Sequence, residues 1–299
     1  MLTYSGSLAL YQKLTNNTET GNTNFFQTFW NEHIRNVLSR RAWYFLDKSE
    51  SITYVDAQQY YTLAFDVKKV NNLTVVNGTT RYVPLEAPDR VFWDRLNSTT
   101  SNSSVTPEYY FIEKSRVGIY PIPSGTSSII TVNYRPRVKD LTLADYTTGT
   151  ITTIANGSTT LTGTGTTWTS QMAGRYIRIT DSDTANTGDG KWYKVASVTS
   201  ATVLELSNSY AGTSIAVGTA VYAIGQVSLI PEDYQIIPVY MAAVDYWQKE
   251  EDVNRANLYE QKAETKIIQM EAEFGSRSDD PVISNGNPSS PNPNLFVTK

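Results

Sequence analysis

The sequence contains no cysteine, which excludes disulfide bonds, thiolate nucleophiles and cysteine-based metal sites. Its single histidine, His33, excludes a multi-histidine metal centre. Walker loops, Gly-x-Ser-x-Gly elbows and metal-ligand pairs are also missing. The acidic neighbours Glu232 and Asp233 suit the start of a helix better than the facing carboxylates of a glycosidase. We therefore predict a protein without catalytic activity, cofactor or metal.

Long hydrophobic runs and a basic excess are missing too. No apolar stretch approaches the roughly 20 residues that span a bilayer, and residues 1–14 lack the pattern of a signal peptide. We expect a protein made in a cytoplasm, without membrane insertion. The 25 basic residues fall short of the 29 acidic ones, so the net charge of −4 argues against tight binding to nucleic-acid phosphates.

Tyrosine is abundant, with 20 residues against nine phenylalanines. Tyrosine combines a large contact area with a polar tip, so its excess favours surfaces that become buried on assembly.

Helical spacing predicts two helices at the start of the chain, Thr3–Thr15, capped by Ser5 or Ser7, and Thr23–Arg41, with a polar loop between them. The second helix has a wide apolar face, on which we expect His33 to be a structural residue with one hydrogen bond. That face consists of Phe25, Phe26, Phe29, Trp30, His33, Val37 and Leu38.

From Ser49 the apolar residues recur at every second position, which predicts an antiparallel β-domain. Within it we expect a hairpin at Asn77-Gly78, a short helix over Asp89–Asn97 and two strands joined at Glu113–Arg116. Strand patterns also cover Val67–Val76, Arg81–Leu85 and Ile129–Tyr134.

Residues 147–227, rich in Thr, Gly and Ser, predict a separately folded β-module inserted in a loop. Its aromatic residues Trp168, Trp192 and Tyr193 form either the core of the module or a stacking surface for sugars, and their period-2 placement favours the core. A loop in the module is rich in Asp and Asn, but its spacing departs from an EF-hand and favours an ordinary turn over a calcium site. That loop contains Asp181, Asp183, Asn186 and Asp189.

The region Ile230–Phe274 predicts a short turn at Pro231, a helix from Pro238, a bend at Lys249–Asp252 and a last helix capped by Asp252. The first of these helices has an apolar face formed by Tyr240, Met241, Val244 and Trp247. The last helix has one apolar stripe of Val253, Ala256, Tyr259, Ala263, Ile267, Met270 and Phe274.

The order of these segments resembles the bacteriophage head-to-tail adaptor proteins, also called connector or tail tubular proteins. The resemblance covers Leu14–Thr142 and Ile230–Phe274 and is interrupted by the inserted module. The segments that carry it are ITYVDAQQYYTL, TPEYYFIEKSRVGIYPIP, VNYRPRVKDLT and IPEDYQIIPVYMAAVDYW.

The resemblance implies a structural virion protein at the head-tail junction, assembled in the bacterial host cytoplasm. Such a protein forms a homo-oligomeric ring, usually a dodecamer, that contacts the portal protein and tail or nozzle proteins. Viral DNA passes through the ring without specific binding, and the inserted module is free to contact tail fibres. The alternative is a receptor- or glycan-binding tail protein that uses the module.

Together these patterns predict an α+β protein in five parts. The parts are 1–48 (N-terminal helices), 49–146 (β-domain), 147–227 (inserted module), 228–274 (C-terminal helices completing the helical domain) and 275–299 (extended tail). We expect Leu295, Phe296 and Val297 to dock the tail on the portal or a neighbouring copy. Subunit packing is assigned to Phe25, Phe29, Trp30, Tyr259, Ile267 and Met270, and the channel lining to Glu260, Glu264 and Glu271.

Overall fold

The computed structural model describes residues 1–98, 103–125, 127–180, 188–216 and 220–275. This part of the chain has the predicted mixed α+β fold, with helices near both ends and strands between them. The tail residues Leu295, Phe296 and Val297 and the loop residues Asp181, Asp183 and Asn186 lie outside it. The helices are α1 (Tyr4–Thr15), α2 (Thr20–Ser39), α3 (Arg90–Ser98), α4 (Ile237–Lys249) and α5 (Val253–Phe274).

The strands fall into two groups along the chain. The first group is β1 (Lys48–Thr53), β2 (Tyr60–Thr62), β3 (Val67–Asn77), β4 (Thr80–Tyr82), β5 (Leu85–Glu86), β6 (Ser103–Ser104), β7 (Tyr109–Glu113), β8 (Arg116–Tyr120), β9 (Ile122–Pro123) and β10 (Ser128–Pro136). The second group is β11 (Thr150–Thr153), β12 (Thr160–Thr164), β13 (Tyr176–Thr180), β14 (Trp192–Ser200), β15 (Val203–Leu206) and β16 (Val221–Gly225).

The cap of helix α1 lies two residues before the predicted cap Ser5 and four residues before the predicted cap Ser7. Thr3 is the cap, since its Oγ1 accepts a hydrogen bond from the Gly6 N–H at 3.1 Å. The predicted caps Ser5 and Ser7 are wrong because both lie inside the helix, where the backbone is already helical. Thr3 lies in extended backbone just before the first turn, which is the geometry that capping requires.

Helix α2 begins at Thr20, inside the stretch that the sequence predicts as a loop. The reason is a buried polar contact, because the Asn22 side chain accepts a hydrogen bond from the Tyr11 hydroxyl at 2.7 Å and donates one to the Asn17 carbonyl at 2.9 Å. These bonds connect the start of α2 to the end of α1, so the stretch around Asn22 is helical and buried instead of forming a solvated loop.

Helix α4 is buried on most sides. As predicted, a short 3-10 turn (Glu232–Tyr234) precedes it, and Pro238 stands in its first turn, where a missing N–H costs nothing. The predicted single apolar face is too narrow, because α4 packs against α1, α2 and α5 at once. Tyr240 and Met241 are only half-buried. The buried residues are Ile237, Pro238, Val239, Ala242, Ala243, Val244, Tyr246 and Trp247.

The bend before α5 has the predicted form. Glu251 adopts a positive φ of 60°, and Asp252 caps α5 by accepting a hydrogen bond from the Arg255 N–H at 3.0 Å. The stripe of α5 is buried at Ala256, Ala263, Ile267 and Met270. Val253 is exposed, contrary to the prediction, because the helical repeat places it on the same side of α5 as Glu260 and not on the buried face.

The β-domain consists of two four-stranded sheets with the strand orders β1-β10-β3-β4 and β2-β8-β7-β5, and of a two-stranded sheet, β6-β9. The hairpin at Asn77-Gly78 and the turn between β7 and β8 are confirmed. Two short pairs, β5 with β7 and β6 with β9, run parallel, so the domain is not purely antiparallel. The predicted strand Arg81–Leu85 is split between the two sheets at Pro84, which cannot donate a ladder hydrogen bond.

Helix α3 forms as predicted and packs Trp93 onto the second sheet. Gly118 makes this packing possible, because a Cβ at this position would lie 2.6 Å from the Trp93 ring.

The strands β11 to β16 form one six-stranded sheet around their own core. The edges of this sheet meet, because Ile151 in β11 exchanges two backbone hydrogen bonds with Ala220, next to β16. A closed sheet leaves no free edge on which another chain can add a strand.

The two ends of this β-module lie side by side, as an insertion requires. A backbone bridge pairs Tyr146, which precedes the first strand of the module, with Ile224 in its last strand, β16. Close by, the Tyr4 N–H donates to the Gln226 carbonyl at 2.9 Å, and the Asp145 N–H donates to Ser5 Oγ at 2.8 Å. The N-terminal helix therefore holds both linkers of the module.

A buried amide links the helices to the segment that leaves the β-domain. Asn31 on α2 accepts a hydrogen bond from the Leu141 N–H at 2.9 Å and donates one to the Leu141 carbonyl at 3.0 Å. Both backbone groups of Leu141 therefore depend on one side chain.

We predict that Asn31→Ala lowers the free energy of unfolding by about 2–3 kcal/mol, because two buried backbone groups lose their partner. Urea unfolding followed by circular dichroism measures this loss. The exposed neighbour Glu32 provides the control, since Glu32→Ala should change stability by less than about 0.5 kcal/mol. Equal midpoints for the two variants would show that the Asn31 link contributes nothing.

Candidate functional site

The residues assigned to subunit packing divide into two groups. Trp30, Ile267 and Met270 are at most 1% exposed and belong to the core of the helical unit formed by α1, α2, α4 and α5. They have no surface to offer another copy. Phe25, Phe29 and Tyr259 are half-buried and remain available.

The half-buried rings of Phe25 and Phe29 form an aromatic patch on α2. Their centroids are 4.3 Å apart, and the Lys249 ammonium lies 5.7 Å from the Phe25 ring. Aromatic side chains are enriched in surfaces that bind another protein.

Tyr259 forms a second half-buried patch between α4 and α5. It stacks on Tyr240 at 6.0 Å, and the Lys262 ammonium lies 5.1 Å from the Tyr259 ring.

The three glutamates assigned to the channel lie along one side of α5, which we call the acidic flank (Glu260, Glu264 and Glu271). Glu264 forms an ion pair with Arg40 at 3.0 Å and Glu271 forms one with Arg41 at 3.2 Å, so two of these carboxylates are held by the end of α2. Of the three, Glu260 alone has no cationic partner among the described residues. The acidic flank therefore carries less net charge than the sequence suggested.

The opposite side of α5 is the basic flank (Arg255, Lys262 and Lys266). Arg255 pairs with Asp252 at 3.3 Å, whereas Lys262 and Lys266 face aromatic rings and have no carboxylate partner within the described part of the chain. Glu273 also lies on this side and accepts a hydrogen bond from the Tyr234 hydroxyl at 2.7 Å, which raises the pKa of Tyr234 to about 12.

Between the two flanks, opposite the core, lies a face of α5 that we call the outer stripe. Every residue in it is exposed and none is charged, although a solvated helix normally places its charges there. Leu258 is 47% exposed and Ile268 is 63% exposed. The outer stripe consists of Asn254, Asn257, Leu258, Gln261, Thr265, Ile268, Gln269 and Ala272. The sequence reasoning missed this face because it followed only the apolar positions of α5.

His33 has the structural role that the sequence predicted. Its Nε2 lies 2.5 Å from Asp245 Oδ2, so the pair joins α2 to α4 at the edge of the core.

A cleft of about 540 Å³ lies where the helical unit, the β-domain and the β-module meet. Its walls mix basic residues, such as Arg175 and Lys194, with Asp66 and Glu232. Within the described ranges, no group of three His, Asp or Glu side chains could hold a metal ion.

Two of the three module aromatics belong to the core of the module. Trp168 and Tyr193 are buried, and Trp168 Nε1 donates a hydrogen bond to the Tyr222 hydroxyl at 2.9 Å. Trp192 is half-buried, with the Arg178 guanidinium 6.0 Å from its ring. The broad stacking surface that a glycan-binding module requires is therefore absent from these three residues.

Comparison with known protein families gives a match to the family described as SU10 adaptor protein, over residues 3–156. The match covers more than half of the chain. The chain belongs to the SU10 adaptor protein family. None of the curated proteins matches it.

The matched region contains α1, α2, the whole β-domain and the first strand of the β-module, and stops before α4 and α5. The resemblance to phage head-to-tail adaptors is thereby confirmed for the family. The adaptor is a structural protein of a bacteriophage, from a family whose members join head and tail proteins. None of its described helices has the length and apolar character needed to cross a bilayer.

We predict that Asp252→Ala lowers the free energy of unfolding of the adaptor by about 1 kcal/mol, because α5 loses the side chain that caps it. Asp252→Asn is the matched control, since asparagine caps helices about as well as aspartate. Thermal unfolding followed at a helical circular-dichroism wavelength distinguishes the two variants. If both variants lose the same free energy of unfolding, the ion pair of Asp252 with Arg255 stabilises α5 and the cap does not.

Proposed function

We propose that the adaptor closes a ring between the portal and the tail, and that viral DNA passes through the ring without specific binding. The family match carries this proposal. The net charge of −4 supports it, because a basic channel would bind phosphates and slow the passage of DNA.

The helical unit supplies the ring contacts in this proposal. Phe25 and Phe29 on α2 and Tyr259 on α5 are half-buried within one copy and complete their burial against the next. A patch on one side of the unit that meets a different patch on its neighbour gives a head-to-tail contact, and such contacts form rings when the rotation closes. The resemblance to connector proteins favours a dodecamer.

The β-module of residues 147–227 projects from the ring in this account and contacts tail components or tail fibres. Two features support a projecting position: its linkers lie side by side, and its sheet is closed on itself. The tail, residues 275–299, docks on the portal or on an adjacent copy, with Leu295, Phe296 and Val297 as its apolar anchor.

Native mass spectrometry of the purified adaptor, alone and mixed with its portal, tests the ring. We predict a large cyclic assembly, either spontaneously or on the portal. A stable monomer or trimer that does not bind the portal would overturn the proposal and favour a receptor-binding tail protein.

Deleting residues 276–299 tests the docking role of the tail separately. We predict loss of portal binding, with helical content and thermal stability unchanged because α5 and its last hydrogen bond at Gly275 are retained. Phe296→Ala should weaken binding at least tenfold, and Phe296→Leu, which keeps an apolar side chain, should weaken it less. Portal binding that survives the deletion would refute the docking role.

A further inference from the structure

The exposed surface of α5 has three faces. The acidic flank and the basic flank lie on opposite sides of the helix, and the outer stripe between them carries no charge. Exposed Leu258 and Ile268 lie within the stripe, so α5 presents neutral side chains opposite the core and charged side chains on its two flanks.

The two flanks differ in sign, and this difference indicates which partner fits. We propose that α5 packs beside α5 of an adjacent copy, in parallel, with the acidic flank of one against the basic flank of the next and the outer stripe turned toward the common axis. This inference rests on the ring proposed above and specifies its subunit contact.

The unpaired charges define the register of this contact. Glu260 lies on the acidic flank and Lys262 on the basic flank, and neither has an oppositely charged partner among the described residues. They are two residues apart, which is about 3 Å along the helix axis. Parallel helices without stagger therefore bring Glu260 of one copy next to Lys262 of its neighbour.

An antiparallel pair related by a two-fold axis would not have this complementarity. Facing helices of opposite direction would place acidic flank against acidic flank and basic against basic. Arg40 and Arg41 partly neutralise Glu264 and Glu271 within each copy, so Glu260 is the carboxylate that decides between the two arrangements.

The arrangement also leaves room for DNA. Twelve parallel helices spaced about 10 Å apart form a circle about 38 Å across, which leaves about 27 Å free inside the side chains. The lining would be the amides, Thr265, Ala272 and the two aliphatic residues of the outer stripe, with no cation to bind a phosphate. In this arrangement the glutamates of the acidic flank lie between subunits, beside the channel rather than inside it.

Charge exchange tests the contact. Glu260→Lys makes both free flank positions positive, and Lys262→Glu makes both negative. Oligomers that contain one variant only should therefore have a dissociation constant at least fivefold higher than that of the wild type, as measured by native mass spectrometry. An equimolar mixture should assemble again with alternating subunits, because every contact then joins opposite charges. Gln261→Ala, a neutral change in the outer stripe, is the control and should assemble like the wild type.

Several outcomes would overturn the inference. If the single variants assemble like the wild type, or if mixing does not restore assembly, the flanks are not in contact. The proposal that the adaptor forms a ring is not affected by that result. If the wild type forms no oligomer with or without portal, the proposed function fails first and the contact with it.

Crosslinking supplies an independent measurement, since the chain has no cysteine of its own. The double variant Glu260→Cys/Lys262→Cys should form a ladder of covalent oligomers on mild oxidation of the assembled protein. The control Glu260→Cys/Thr265→Cys, with its second cysteine in the outer stripe, should remain mostly uncrosslinked. An absent ladder in an intact assembly, or equal ladders in both variants, would refute side-by-side packing of α5.

Discussion

The burial of α4 is the constraint on which the rest of the structure depends. This short helix packs against α1, α2 and α5 together, so residues from both ends of the sequence must meet before its apolar surface is covered. Burying each of its large side chains contributes on the order of 2 kcal/mol. The β-domain and the β-module are held between those ends. Hydrogen bonds connect them to the helices, from Asn31 to Leu141, from Thr3 to Asp145 and from the Tyr4 N–H to the Gln226 carbonyl.

This construction separates the requirements of folding from those of assembly. The core of the helical unit uses Trp30, Ile267 and Met270, whereas its surface carries the aromatic patches and the outer stripe. A subunit built in this way has a core of its own and still carries half-buried tyrosine and phenylalanine on its surface. The excess of tyrosine in the composition is consistent with such a surface.

The sequence predicted most elements because local signals decide them. Pro238, Asp252 and the Asn77-Gly78 pair act on backbone only a few residues away in the sequence, so α4, α5 and the β3–β4 hairpin are placed correctly. Tertiary contacts decided the remainder. Asn22 extends α2 backwards by bonding to Tyr11, and α4 is buried on more sides than periodicity along one chain can reveal. The ion pairs of Glu264 and Glu271 join residues more than 200 positions apart, which no local pattern indicates.

The central claim is that α5 surrounds the axis of a closed ring. Electron cryomicroscopy of the adaptor assembled on its portal tests this claim most directly, because it shows the position and direction of every α5 at once. The account predicts parallel α5 helices around the channel, with Gln261 and Ile268 facing the axis and Glu260 between subunits. A ring in which α5 lies on the outer rim, or in which neighbouring α5 helices do not touch, would contradict it.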